Sequence, residues 1–437
     1  MCRAENPPSL WCSAGKWNEM ALRNVKRTAG RLLTQDNKRS FGGILVLGFQ
    51  RFFQKSFGLI STYFLVRALT QDEFGMYSFV IGVASTMTIF GLGGLKNSVI
   101  QSVARGHRGT YRKAVPLAFS GCLLGSFLML AMAFWYKNAG QSGLSAGLII
   151  GALLLPFYDG LSQWRNVKIG EEHFTAFFKQ ETLWQFLMHA SMVTVALLFP
   201  HEIALPVLVF LGVPALLNTI FTVRDFRSIK REESDEPESI AYGIKTSFYA
   251  AFNTVAVNAD KLFLFAFLSP TATAVFVAAE RIPEVLRNMV QDAIAVYAPR
   301  FAREEAYTKK LDDMLKKTAL GIGLCVAIFA LTLLPLILTF IFGETYSESV
   351  FYSQVLCFSV AIGNASNIRF RYIRSKLDTD NFAKITVVTS LLRVLMSALL
   401  IPLYGVAGAV ASAFAYRVIM TLTVDWVIRT HYLKAES

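Results

Sequence analysis

The chain has 437 residues, of which 54% are hydrophobic and 17% are charged. Soluble proteins carry about a quarter charged residues, so this composition excludes an ordinary soluble domain. The net charge of +13 would suit a nucleic-acid-binding protein, but the bases are concentrated in short connections between apolar blocks. Each block has roughly 20 residues, the length that crosses a hydrocarbon layer of about 30 Å.

The predicted elements begin with a polar, basic segment, 1–42, which lacks the apolar core of a cleavable signal and is interpreted as a cytoplasmic leader. Twelve apolar segments follow, and they must be helices because lipid offers the backbone no hydrogen bonds. Polar residues dilute the pattern in the fifth, eighth and tenth. The predicted spans are 43–67, 75–95, 114–136, 143–164, 178–199, 203–222, 241–268, 271–297, 317–341, 347–367, 382–402 and 405–428.

The spans divide into two groups of six on either side of a charged segment. We therefore predict an N-lobe over 43–223, a charged cytoplasmic linker over 224–240, a C-lobe over 241–430 and a cytoplasmic tail over 431–437. The expected fold is an all-α polytopic membrane protein whose two pseudo-symmetric six-helix lobes surround a central cavity.

The placement of lysine and arginine predicts the orientation of the spans. Bases occupy every second connection, and Lys137 is the main exception on the opposite side. By the positive-inside rule, both termini are cytoplasmic, and nucleic acid is not an expected partner. The base-rich connections are 105–113, 165–168, 224–231, 300–317 and 369–376.

The connection between the first two spans, "LTQDEFGMYSF" (69–79), places Asp72 and Glu73 at the amino end of the second helix, where negative charge is favoured. A degenerate copy of this segment follows 199 residues later, at the corresponding helices of the second group. It aligns Thr70 with Ser269 and Gly75 with Ala274. Duplicated transporters bind their substrate between the two halves.

Several ionisable residues lie within the spans, where each charge costs about 2.5–3.5 kcal/mol at the bilayer centre. Two interpretations compete. Either the charges pair between helices and lock the bundle, with Asp260 and Arg281 at similar depth, or surplus bases line a cavity that binds an anion. The surplus favours a cationic cavity for phosphate or pyrophosphate. The bases are Arg51, Lys55, Lys261, Arg281, Arg287, Arg393 and Arg417, and the acids are Asp260, Glu280, Glu284, Asp292 and Asp425.

The sequence contains no nucleophile–base pair, metal cluster, phosphate-binding loop or dinucleotide fingerprint, and His189 stands alone in its span. We therefore predict a protein that is not an enzyme and needs no cofactor. Uphill transport would then draw on an ion gradient or on consumption of the product. Candidate groups for a coupling proton or Na⁺ are Asp260, Glu280 and Asp425.

Six short segments, in this order and spacing, resemble the polysaccharide and O-antigen flippases (Wzx-like) of the multidrug/oligosaccharidyl-lipid/polysaccharide superfamily. Together with the twelve spans they cover the chain from about residue 43 to 430. The segments are "LVRALTQDEFGMYSF" (65–79), "FGLGGLKNSVIQSVAR" (90–105), "NADKLFLFAFL" (258–268), "APRFAR" (298–303), "FGETYSES" (342–349) and "IPLYGVAGAV" (401–410).

The resemblance implies a flippase of the inner membrane that carries undecaprenyl-pyrophosphate-linked oligosaccharide units to the periplasmic leaflet by alternating access. It implies that Arg51, Lys261 and Arg281 face a cationic cavity, with Lys55 nearby, while Lys96 stands where the family often has arginine. The expected partners are a lipid-linked anionic saccharide, membrane lipid, and the polysaccharide polymerase and chain-length machinery.

Two alternatives stay open. An ion-coupled multidrug exporter of the same superfamily should have an acid-dominated aromatic cavity, which the surplus of bases disfavours. A non-transporting membrane scaffold should have completely paired charges and no open chamber.

Overall fold

The structure is a computed structural model that describes residues 55–229, 233–295, 307–375 and 379–432, all within one compact unit. Within these ranges the chain forms helices joined by short turns, without a β-sheet. The predicted leader, the start of the first span and residues 433–437 lie outside them. The helices are α1 (residues 55–68), α2 (Gln71–Met87), α3 (Leu95–Ala104), α4 (Gly109–Asn138), α5 (Ser142–Leu155), α6 (Trp164–Gly170), α7 (Phe174–Leu198), α8 (Ala204–Ser228), α9 (Pro237–Phe267), α10 (Pro270–Ala295), α11 (Lys309–Phe342), α12 (Glu348–Ser375) and α13 (Thr379–Val427).

Each predicted span overlaps a helix in the described ranges, which confirms the all-α polytopic fold. The second span covers most of α2 and the 3₁₀ turn Thr88–Gly91, and it ends where α3 begins. The fourth is α5 and α6, separated by the π-helical turn Pro156–Gly160. The eleventh and twelfth spans are the two arms of α13, which breaks at Gly405 because this residue has a φ of +59°. Following the predicted division, we refer to helices α1–α8 as the N-lobe and to helices α9–α13 as the C-lobe.

The described helices differ in how well their composition suits lipid. Six candidate spans are long and apolar enough to cross a membrane by themselves, and the two arms of α13 count as one of them. The helices α7, α9, α10 and α12 fall below that standard because polar and charged residues interrupt them. Each of these four helices buries some of its polar side chains in the bundle, among them Gln185, Asp260, Thr273 and Asn364.

The two lobes pack together at one end of the bundle, which we call the outer end, and the opposite end is called the inner end. A single apolar core joins Leu65 and Phe74 of the N-lobe to Ile282 and Phe342 of the C-lobe. At the inner end the described residues form two separate cores, one around Tyr111, with Ile240 of α9 packed at its edge, and the other (residues 307–432) in the C-lobe. The structure is therefore closed at the outer end.

Polar contacts reinforce this closure. The Arg67 guanidinium donates to the carbonyl of Ile341 at 2.6 Å and to that of Phe340 at 3.0 Å. These carbonyls lie in the last turn of α11, where no intrahelical donor reaches them. Gln71 donates to the Thr345 carbonyl at 2.8 Å. Arg67 also stacks on a ring of its own helix, 3.6 Å from the centroid of Tyr63.

The predicted internal repeat is visible at the start of α2 and α10. Thr70 caps α2 by a capping box with Glu73, whose carboxylate accepts from the Thr70 amide at 2.7 Å. The hydroxyl of Ser269, which the repeat aligns with Thr70, accepts from an amide in the first turn of α10. The Thr271 hydroxyl donates to Asp72, and these two residues are 199 positions apart. The two copies thus meet each other at the outer end.

The segment between the lobes binds to the inner end of the N-lobe. Helix α8 ends at Ser228 and α9 begins at Pro237, so the predicted linker 224–240 overlaps both helices. Arg105 pairs with Glu236 at 2.6 Å and, with the Ser239 hydroxyl, lowers the pKa of Glu236 to about 2. This carboxylate therefore stays ionised throughout the physiological pH range.

Candidate functional site

A chamber of about 260 Å³ lies between the lobes, below the closed outer end. The N-lobe contributes the hydroxyls of Ser61 and Thr62 from α1 and the imidazole of His189 from α7. The C-lobe contributes Lys261 from α9 and Arg281 from α10. We call this space the interlobe chamber, because its polar walls come from both lobes.

A second chamber of about 400 Å³ lies inside the C-lobe and shares the wall residue Val257 with the first. We call it the C-lobe chamber. Its bases come from α10, α12 and both arms of α13: Arg287, Arg371, Arg393 and Arg417. Arg371 donates to the carbonyl of Gln291 at 2.6 Å. The C-lobe chamber falls in the lower part of the range of about 300–1,000 Å³ found for ligand sites, and the interlobe chamber is slightly smaller than that range.

Two of the predicted cavity bases are matched by a carboxylate. Lys261 Nζ lies 2.9 Å from Glu280 Oε2. Arg393 Nη2 lies 2.7 Å from Asp260 Oδ2, and both of these side chains are almost fully buried. The hydroxyls of Ser397 and Ser412 donate to the other oxygen of Asp260. These groups form closed ion pairs, as the bundle-locking interpretation expects.

The predicted partnership of Asp260 with Arg281 is wrong. Successive residues on a helix point about 100° apart, so Asp260 faces α13 while Lys261 faces Glu280 on α10. Arg281, one residue beyond Glu280, points instead at α1. Its Nη2 donates to the Thr62 hydroxyl at 3.2 Å, and that hydroxyl donates in turn to the Gly58 carbonyl.

Arg281 and Arg417 are the predicted bases left without a carboxylate partner in the described part of the chain. The Nε of Arg281 is buried and lacks any hydrogen-bond partner there. Arg287 approaches Glu284 at 3.9 Å, the far edge of an ion pair. Among the predicted charges that the structure describes in or beside the two chambers, five bases (261, 281, 287, 393 and 417) therefore face three acids (260, 280 and 284). Of these acids, Glu284 lines a chamber, whereas Asp260 and Glu280 are paired behind the walls.

The remaining predicted residues lie elsewhere. Asp425 binds Arg369 and Arg429, both at 2.7 Å, in a cluster at the inner end of the C-lobe rather than in either chamber. Lys55 is the first described residue of α1 and does not line the chambers. Arg51 and the side chain of Asp292 fall outside what the structure describes.

Two polar residues that the sequence did not single out as functional become notable. His189 is not isolated, because its Nδ1 lies 2.8 Å from the Ser61 hydroxyl and its ring lines the interlobe chamber. Asp159 is a buried carboxylate in the N-lobe, bonded to Lys96 at 3.0 Å. A single acid beside a proline and a glycine, "PFYDG" (156–160), was the one sequence signal that could have identified it.

No group of three or more histidine, cysteine, aspartate or glutamate side chains that could hold a metal ion occurs among the described residues. The chamber chemistry is that of guanidinium, ammonium, hydroxyl and amide groups. These groups donate hydrogen bonds to an anion, and the planar fork of arginine matches the oxygens of a phosphate.

The sequence profile of a family described as "Polysaccharide biosynthesis protein" matches residues 64–351, which is more than half of the chain. No curated protein matches the chain by sequence.

Solved structures share the fold. The lipid II flippase MurJ, in an inward closed conformation, aligns with a TM-score of 0.69 at 11% identity, covering 89% of this chain and 88% of that one. The multidrug transporter DinF-BH of the MATE family aligns with a TM-score of 0.65 at 13% identity, covering 90% and 96%. A transporter from Pyrococcus furiosus, described with a binding pocket of reverse polarity, has a TM-score of 0.56 at 14% identity, covering 89% and 95%. The chain thus has the two-lobe fold of the multidrug/oligosaccharidyl-lipid/polysaccharide superfamily.

Proposed function

We propose that this chain, which belongs to the polysaccharide biosynthesis protein family, is a flippase that moves an anionic, lipid-linked saccharide across a membrane. The observation that carries the proposal is the excess of bases over acids in the two chambers, with Arg281 and Arg417 lacking carboxylate partners among the described residues. Buried charges without partners are costly, so a ligand that neutralises them stabilises the protein.

The ligand that best fits these bases is a phosphate or pyrophosphate ester. Arg281 in the interlobe chamber and Arg417 in the C-lobe chamber present forked donors on either side of Val257. A head group bound across this wall would receive charge-assisted hydrogen bonds from both, and these are the strong ones. Sugar hydroxyls would meet Asn253, Asn258 and Thr62, while the hydrocarbon tail stays in lipid.

Movement across the membrane would follow from rocking of the lobes. The outer end is closed in this structure while the inner ends of the lobes have separate cores, an arrangement that supports loading from the inner end. We assign the inner end to the cytoplasm because its connections carry the bases. On this basis we propose that the protein resides in the inner membrane with both termini cytoplasmic. The cargo would be an undecaprenyl-pyrophosphate-linked oligosaccharide, such as an O-antigen unit, delivered to the polymerase and chain-length machinery.

The rival functions have less support. A multidrug exporter for cationic compounds would need an acidic chamber, and the bases here would repel such a cargo. A scaffold without transport activity would not need two polar chambers, and it would not need bases that lack carboxylate partners. An efflux assay with a cationic dye separates the exporter from the flippase, since the exporter alone should confer resistance.

Replacing Arg281 or Arg417 with alanine should abolish surface polysaccharide in a flippase-deficient strain while the amount of protein in the membrane stays normal. Each substitution removes a charge-assisted hydrogen bond worth about 1.5–3 kcal/mol, or roughly 10- to 100-fold in affinity. Lysine at either position should restore part of the activity, because it keeps the charge and loses the fork.

Arg227→Ala is the matched control, because Arg227 is an exposed arginine at the end of α8 and lines neither chamber. We expect full complementation from this variant. Wild-type levels of polysaccharide in both Arg281→Ala and Arg417→Ala would contradict the proposal, as would equal losses in all three variants.

A further inference from the structure

The N-lobe contains a buried acid that the transport site does not use. Asp159 lies in the π-helical turn between α5 and α6 and is 6% exposed. Its Oδ1 accepts from Lys96 Nζ at 3.0 Å, whereas its Oδ2 is buried and has no hydrogen-bond partner among the described residues. An acid inside a span is costly and is retained where it serves a function.

The unpartnered oxygen points at a break in the neighbouring span. After the 3₁₀ turn Thr88–Gly91 the chain passes through Leu92, whose φ is +55°, before α3 begins. A Cβ built on Gly91 would lie 2.2 Å from Asp159 Oδ2 and 2.9 Å from Cys122 Sγ. Glycine at this position thus makes room for the carboxylate. Interrupted helices and π-turns inside membranes are typical of ion-binding positions.

The charged and titratable groups around this carboxylate are few. Lys96 approaches from the break and the Cys122 thiol from α4, while Tyr158 precedes Asp159 on its own turn. Arg165 lies farther along the same span and is held by Glu181 of α7 at 2.8 Å. With one acid and no cluster of three metal ligands in the described ranges, the site suits a proton better than a metal ion.

The break is also a joint between the lobes. Two residues before Lys96, the Gly94 amide donates to the Ser247 hydroxyl of α9 at 2.9 Å. The backbones are in close contact there, because a Cβ on Gly94 would lie 2.4 Å from the Gly243 carbonyl oxygen. Helix α9 continues from this joint to Lys261 in the interlobe chamber. A displacement of Lys96 can therefore be transmitted along α9 to the interlobe chamber.

We propose that Asp159 binds the coupling proton of transport, an inference that rests on the proposed transport function. In the outer-closed structure the carboxylate holds the Lys96 ammonium. A proton taken from water onto the carboxylate leaves a neutral acid, and Lys96 keeps its own proton. The ion pair is lost, and the Lys96 side chain, already 42% exposed, moves toward water. The break and α9 are then free to rearrange, so protonation shifts the population away from the outer-closed structure.

The test uses the full chain in lipid nanodiscs without saccharide. Spin labels at cysteines introduced in place of Asn138 and Glu344, exposed residues at the outer ends of the two lobes, report the outer separation. Cys2, Cys12 and the exposed Cys325 are replaced by serine, while the buried Cys122 and Cys357 are retained. Infrared difference spectra on acidification report the carbonyl band of a newly protonated carboxyl group.

Acidification should lengthen the label distance in the parent chain. Asp159→Asn should show the long distance already at neutral pH, respond little to acid and lose one carboxyl band. Asp159→Glu should keep the response, and Lys96→Gln should also show the long distance at neutral pH, because it removes the same ion pair. Asp235→Asn, a linker acid paired with Lys113 at 2.5 Å, is the control and should behave as the parent.

An unchanged infrared band and a parent-like pH response in Asp159→Asn would overturn the proposal. Because these readings involve no saccharide, that outcome would leave the complementation test of the chamber arginines unaffected. Conversely, a failed complementation test would not alter the distances or the spectrum.

Discussion

Replacing Arg393 with methionine is expected to lower the free energy of unfolding by about 3–5 kcal/mol, because it leaves the carboxylate of Asp260 buried without its counter-charge. Arg393 lies 2.7 Å from Asp260, whose side chain is 0% exposed. Thermal unfolding in detergent, followed by a thiol-reactive dye or by circular dichroism, measures the loss.

The double variant Arg393→Met with Asp260→Asn should recover most of the lost stability, since a neutral amide can still bond to Ser397 and Ser412. Removing both charges of a buried pair is often neutral or stabilising. Arg429→Met is the matched control, because Arg429 is also 2.7 Å from an aspartate but its side chain is 66% exposed. Exposed pairs contribute about 0–1 kcal/mol. Similar losses for Arg393→Met and Arg429→Met would contradict the argument.

This expectation bears on the role of Asp260 and Arg393 in transport. The sequence suggested Asp260 as a coupling acid and Arg393 as a substrate ligand. A carboxylate held by one guanidinium and two hydroxyls has little capacity left for another cation. The pair is therefore expected to fix α9 against α13 and to leave substrate contacts to Arg281 and Arg417.

The fold could be predicted from the sequence because the bilayer imposes its own length scale. An apolar run of about 20 residues has one acceptable conformation in lipid, so the spans followed from hydropathy. The capping residues Thr70 and Ser269 were predictable as equivalent positions because helix starts carry a local sequence signal. The break at Gly405 agrees with the predicted gap between the last two spans, since this residue takes a positive φ.

The partners of the intramembrane charges could not be predicted in the same way. Position along a span gives the depth of a residue but not the direction its side chain faces around the bundle. Asp260 and Arg281 lie at similar depth in their spans. Asp260 nevertheless pairs with Arg393, which is 133 residues away in the sequence. His189 looked isolated for the same reason, because its neighbours Ser61 and Arg281 belong to other helices.

Asp159 was missed for a different reason. A hydropathy average over the span 143–164 is dominated by its leucines and isoleucines, so that one acid hardly changes it. Nothing in the local sequence shows that Gly91, on another helix, makes room for the carboxylate. A buried acid site of this kind forms where the breaks of two interrupted helices come into contact. That contact is visible only in the tertiary structure.

Gly75→Val is expected to prevent closure of the outer end and to abolish polysaccharide transport. Gly75 lies in the first turn of α2, where a Cβ would come within 1.9 Å of the Pro270 carbonyl oxygen at the start of α10. A backbone atom cannot move aside as a side chain can, so the two helices must separate. Overpacking of this kind costs about 1–3 kcal/mol, which corresponds to roughly 5- to 150-fold in the ratio of closed to open molecules.

The measurement is the reactivity of a cysteine introduced in place of Ser78, in the interlobe chamber, toward an impermeant thiol reagent added to intact cells. The parent should be protected because its outer end closes, whereas Gly75→Val should react. Gly82→Ala is the matched control, since Gly82 is on the same helix, and its added Cβ would have no neighbour nearer than 3.9 Å. Protection and transport at parent levels in Gly75→Val would show that the contact between α2 and α10 does not close the outer end. Reaction in both glycine variants would point to weakening of α2 itself.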